Sequence, residues 1–143
     1  MTCKMIRTLV VLAGGTLAAC APRPPPVGPE FDGRYVGTDR LINGVAFQCG
    51  DVNLPEQIAV IGGRFAYPFQ VNPPRTAPLP VQVAVDGSVF GQMQYGLTDD
   101  TGFLQSRQRI DWVTLTGRIT GPTLEATIST LRCTRRLNAG RGP

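Results

Sequence analysis

Thr114-Leu-Thr-Gly-Arg-Ile-Thr-Gly-Pro-Thr-Leu-Glu-Ala-Thr-Ile128 is the stretch that decides the fold. Folded back about Gly121-Pro122, it sets Ile119 against Leu124, Gly117 against Ala126 and Leu115 against Ile128, with Val113 and Thr130 next in line. The other face then pairs Arg118 with Glu125, Thr116 with Thr127 and Thr114 with Ser129. One face is apolar, and the other is polar or oppositely charged. That is what cross-strand pairing favours in a half-buried antiparallel hairpin. Each pair is a separate chance for the register to fail, and none does.

Two earlier stretches fold in the same way. Ile58 to Tyr67 turns at Gly62-Gly63, which sets Val60 opposite Phe65 and Ile58 opposite Tyr67, with Phe69 next on that face. Val81 to Phe90 carries Asp86-Gly87, a strong signal for a tight two-residue turn. Such a turn pairs Val83 with Phe90 and Ala84 with Val89, and both faces are then partly apolar. A first strand is expected near Gly33–Leu41. Glycine and proline recur too often for long helices. The expectation is an all-β domain over 31–137, with 138–143 as a flexible tail. Its form is a small antiparallel meander barrel or strongly curved sandwich of about seven to eight strands, since so long a sheet must curl or close to hide its edges. Phe65, Tyr67, Phe90, Leu115 and Ile128 are the expected bulky fill.

The chain begins differently. Lys4 and Arg7 precede an apolar run from Leu9 to Leu17, then come Leu17-Ala18-Ala19-Cys20 and the proline-rich Ala21–Glu30. This order resembles the signal peptide and lipobox of bacterial lipoproteins. The resemblance implies that residues 1–19 are removed and that Cys20 is fatty-acylated. It further implies a membrane anchor and a place in the bacterial envelope, with Ala21 favouring the outer membrane facing the periplasm. Ordinary secretion is the alternative, since Ala18-Ala19 also suits a plain signal peptidase. A membrane-spanning helix needs about 20 apolar residues, whereas Gly14-Gly15 interrupt this run. Residues 20–30 then read as the lipidated cysteine plus a polyproline-type tether, semi-rigid and without a core.

Composition narrows the chemistry. Removing 1–19 from the 143 residues leaves 124, enough for one small domain. It also leaves 12 basic residues, all arginine, against 10 acidic ones. A net charge near neutral, in an exported chain, argues against nucleic acid as a partner. There is no histidine, which removes the commonest general base and metal ligand. The serines Ser88, Ser106 and Ser129 sit in no nucleophile motif. Of the four cysteines, the resemblance puts Cys3 in the signal and makes Cys20 the anchor, so Cys49 and Cys133 remain to pair. An exported setting favours that disulfide. A metal site on the same two is disfavoured by the missing C-x-x-C spacing.

The other candidates read as structure. Asp100-Thr101-Gly102 matches the core triplet of aspartic proteases, but it has no second copy and follows no apolar strand, so it reads as a loop tip. Asp99, Asp100 and Asp111 lack calcium-loop spacing, and Asp111 is expected to pair with Arg132. Arg132, Arg135, Arg136 and Arg141 form a basic end suited to lipid or lipopolysaccharide phosphates, or else a frayed tail. Trp112 is expected to share a face with Ile110, Leu131 and Cys133, over the disulfide or the strand ends. No cofactor, metal or catalytic residue is expected. The expected function is a non-enzymatic, lipid-anchored domain that contacts an envelope protein or polymer. The alternative is a lipocalin-like barrel carrying a small apolar ligand.

Overall fold

A computed structural model describes residues 27–70, 76–98 and 108–143. Eight antiparallel strands form one nearly closed, barrel-shaped sheet: β1 (Gly33–Asn43), β2 (Asn53–Val60), β3 (Arg64–Gln70), β4 (Thr76–Val83), β5 (Ser88–Thr98), β6 (Gln108–Thr120), β7 (Thr123–Ser129) and β8 (Thr134–Arg141). The order around the sheet is β2-β1-β8-β7-β6-β5-β4-β3. A single helical turn, α1 (Ala46–Cys49), lies between β1 and β2.

The hairpin of β6 and β7 has the register that its alternation demands. Leu115 lies opposite Ile128, Gly117 opposite Ala126, Ile119 opposite Leu124, and Arg118 opposite Glu125. Gly121 supplies the positive φ, +58°, of its two-residue turn. Leu115 and Leu124 are fully buried and Ile128 is 1 % exposed, so the apolar face is the inner one.

The β4–β5 turn differs from expectation by one residue. Ala84 N–H donates to Ser88 O, and Val83 lies opposite Val89. The loop therefore holds Val85-Asp86-Gly87, with Gly87 at φ +82°. A three-residue hairpin loop of this kind ends on a left-handed residue, a place glycine fills without strain. The Asp86 carboxylate accepts the Ser88 N–H and Oγ–H and holds the turn. One residue of slip reverses every side chain beyond it. Val89 is buried, and Phe90, expected in the core, faces solvent at 54 % exposure.

The β2–β3 segment turns at Gly62-Gly63 as expected but forms no ladder. Only the bridge Ile61–Arg64 joins the two strands, which are the edges of the sheet. Ile58, Val60, Phe65, Tyr67 and Phe69 are still all buried, each from its own side of an open seam. Prolines account for the opening. Leu41 N–H bonds to Val52 O and Val83 N–H to Gly63 O. Alternation along those ladders points the nitrogens of Pro55 in β2 and Pro68 in β3 into the seam, away from β1 and β4. Neither proline removes a ladder bond, and both deny the seam a donor, as edge strands require. Pro78 and Pro80 point the same way toward β5, where the β4–β5 ladder covers only Val81–Val83.

The last strand closes the sheet. β8 pairs with β1 from Tyr35–Arg141 to Asn43–Thr134, with a bulge near Leu41. It runs through Arg141, so the stretch 138–143, expected as a tail, is largely strand. At the other terminus, Val27 bridges Ala84 and Gly28 N–H donates to Val83 O, so the domain begins before Phe31, inside the expected tether. The Asp32 carboxylate accepts the N–H groups of Gly62 and Gly63 and ties this entry to the foot of the seam.

Candidate functional site

Two features stand apart from the apolar core. The first lies inside the barrel, beneath α1. Inward positions on β1, β2, β3 and β8 bring together Asp39, Glu56, Tyr67 and Arg135, each 8 % exposed or less. Arg135 Nε donates to Asp39 Oδ2 at 2.8 Å, Nη1 to Cys49 O at 2.9 Å and Nη2 to Asp51 O at 2.8 Å. The Tyr67 hydroxyl donates to Asp39 as well. The guanidinium thus joins β1 and β8 to the segment carrying α1, and its charge is compensated where water is absent.

Glu56 is the group this arrangement perturbs. It lies opposite Gly37 while Asp39 lies opposite Leu54, so the two carboxyls are diagonal neighbours on one inner face. Burial first, then the Asp39 charge, pushes Glu56 up to about 7, against a smaller pull from Arg135. Burial and the same carboxylate push Tyr67 well above the usual phenol range. Asp39 Oδ1 has no hydrogen-bond partner. A carboxyl pair with a near-neutral member suits acid–base chemistry. Here the four side chains are buried among the strands. The cluster fastens the barrel end.

The second feature is an outer groove of about 910 Å³ over β3, β4 and β5. Val27, Arg64, Pro80, Gln82, Val85 and Phe90 are among the residues that line it. It exists because the three-residue turn sends Phe90 outward and because β4 parts from β5 above Val81. Asp86 sits at its turn end, held below the usual carboxylate range chiefly by the Ser88 hydrogen bonds, with Arg118 at 3.9 Å. On the inner face, Tyr35, Leu79, Leu115, Leu124 and Leu137 are fully buried.

The residues singled out from sequence separate. Cys49 and Cys133 form the disulfide, with Cα atoms 5.7 Å apart, and it clamps the α1 segment to the β7–β8 connection. Cys20, Asp99, Asp100, Thr101, Gly102 and Ser106 lie outside the described residues. The basic end is dispersed along β8. Arg135 is buried, Arg136 faces out opposite Arg40, and Arg141 lies over the Tyr35 ring at 5.6 Å and donates to Asp32 O. Arg135, Arg136 and Arg141 thus lie in strand rather than in a frayed tail, and Arg132 lies in the β7–β8 connection. Asp111 accepts from the Tyr95 hydroxyl at 2.9 Å and from Leu131 N–H at 3.2 Å. Burial first, then the Asp111 carboxylate, pushes Tyr95 up to about 12. Trp112 is half exposed on the outer face, where Ile110 and Leu131 are exposed as well. The sequence reading missed Asp39, Glu56 and Arg135 as a group. The one available signal was an arginine on the inward parity of Arg135-Arg136-Leu137-Asn138-Ala139.

Among the described residues no three His, Cys, Asp or Glu side chains come together as a metal set, and no helix is long and apolar enough to cross a membrane. No protein-family model matches the chain, and no curated protein or solved structure is significantly similar to it.

Proposed function

We propose that this chain is a lipid-anchored bacterial envelope protein whose barrel binds an envelope protein or polymer on its outer surface, without catalysis. The observation that carries the binding reading is the outward Phe90 and the groove it walls. A large aromatic at 54 % exposure beside a concave apolar surface is the kind of patch that marks a contact site. The bulky side chains buried on the inner face, Tyr35, Leu79 and Leu115 among them, favour contact outside over carriage inside. The anchor rests on Leu17-Ala18-Ala19-Cys20 and on the tether that precedes Val27.

Two experiments test the two parts. Cys20→Ser should abolish fatty-acid labelling and release the protein from the membrane fraction, and unchanged labelling with normal maturation would refute the anchor. A photo-crosslinking residue placed at Gln92 in the full chain should give adducts in native membranes that the same probe at Asn138, across the barrel, does not. Equal adducts from both positions, or none, would refute an outer-face site.

A further inference from the structure

We infer that the outer face of β5 and β6 is a binding strip for a neutral glycan strand. The inference rests on the external-binding reading above and names its ligand. Register sets the strip: Phe90 lies opposite Thr116, Gln92 opposite Thr114, and Gln94 opposite Trp112. All six side chains point outward, and Phe90 and Trp112 are each about half exposed.

An aromatic thus stands at each end, with amides and hydroxyls between. Phe90 and Gln94 are four residues apart on one strand, and Trp112 is the cross-strand neighbour of Gln94. At a rise of about 3.4 Å per residue the two rings stand roughly 14 Å apart. A short oligosaccharide spans that distance, and a single sugar does not. A pyranose ring offers C–H groups on its faces and hydroxyls around its rim. The electron-rich face of an aromatic ring attracts the first. Glutamine amides and threonine hydroxyls, which donate and accept, match the second. Gln92 already bonds weakly to Thr114, at 3.4 Å, so these side chains lie side by side along the surface.

Charge selects the class of polymer. The chain is 17 % charged, and charged residues concentrate on the surface, so six outward positions should hold at least one charge. This strip holds none. Thr127 and Ser129 extend the uncharged surface onto β7. Of the charges beside it, Arg118 and Asp86 engage each other at the turn end, and the Asp111 carboxylate at the other end is occupied by the Tyr95 hydroxyl and the N–H groups of Trp112 and Leu131. A phosphorylated or carboxylated polymer finds no counter-ion here, while a neutral one loses no solvation of buried charge.

Trp112 is the only tryptophan in the chain, so its emission reports on the strip directly. The full chain in detergent is titrated with N-acetylglucosamine and with its β-1,4-linked tetramer. The tetramer should shift and saturate Trp112 emission, with affinity at least tenfold above that of the monomer. Phe90→Ala should bring the tetramer down to the monomer's affinity, and Gln92→Ala with Gln94→Ala, at exposed positions that do not carry the fold, should weaken it at least tenfold. No response at millimolar tetramer, equal affinity for both sugars, or a Phe90→Ala titration like that of wild type would each overturn the inference. Should Gln92 still yield crosslinks while the tetramer gives no response, the outer-face reading stands and the glycan falls.

Discussion

Arg135 and Arg136 are adjacent in sequence and opposite in role. Arg135 points inward, with its Nε, Nη1 and Nη2 all donating to Asp39, Cys49 or Asp51. Arg136 faces water opposite Arg40. Arg135→Ala leaves Asp39 buried and uncompensated, so it should cost about 3–5 kcal/mol in urea unfolding. Arg136→Ala should change stability by no more than about 0.5 kcal/mol. Similar losses for the two would refute the inward assignment. Glu56 gives stability a pH dependence. Its folded value near 7 exceeds the ordinary 4.5, so the fold holds this proton more tightly than the unfolded chain does. That stabilisation is complete below about pH 4.5 and is lost as pH rises through about 7, for a total of up to about 3 kcal/mol. In Glu56→Gln this component should vanish, and the variant should be the more stable protein at pH 8. Unfolding midpoints at pH 5 and pH 8 decide it. An equal fall in both proteins would place the titration elsewhere.

At the scale of the hairpin, register is the testable quantity. Leu115 and Ile128 face each other inside, while Arg118 and Glu125 face each other outside. Ile128→Ala should cost about 2–5 kcal/mol, against under about 1 kcal/mol for Glu125→Ala. The β4–β5 turn makes the sharper case, because the inner residue differs from the one the sequence suggests. Val89→Ser should destabilise strongly and Phe90→Ser should not, as read by thermal melts. The reverse order would restore the two-residue turn. These elements also show what the sequence discloses. The β6–β7 hairpin is readable because apolar and polar residues alternate without exception. Val81–Phe90 is not, because Val89 and Phe90 are adjacent apolar residues on opposite faces and only the loop length, set by Gly87, chooses between them. β8 is hidden because its inward residues are Arg135, Leu137 and Ala139, a polar-looking stretch whose arginine is neutralised by the distant Asp39. The seam is hidden because proline direction depends on ladder parity, which exists only after pairing. Phe90 entered the reading as core, and the groove it walls is therefore a feature of structure alone.

At the scale of the whole molecule, one covalent bond and one strand pair hold the barrel together. The Cys49–Cys133 disulfide spans 84 residues of sequence. By loop-closure entropy a link of that span contributes roughly 4–5 kcal/mol. Replacing both cysteines by serine should lower the melting temperature markedly, and neither thiol should react with alkylating reagent in the native protein. Alkylation of both would refute the bond. The pairing of β1 with β8 carries a different consequence, for the making of the protein. The first strand to leave the ribosome waits for the last, and about a hundred residues must follow β1 before its inner partner exists. Until then the buried carboxylate of Asp39 has no arginine, Cys49 has no partner thiol, and β1 has β2 on one flank alone. The salt bridge, the disulfide and the β1–β8 ladder all draw on residues 133–141, so none of the three can form before that stretch has been made.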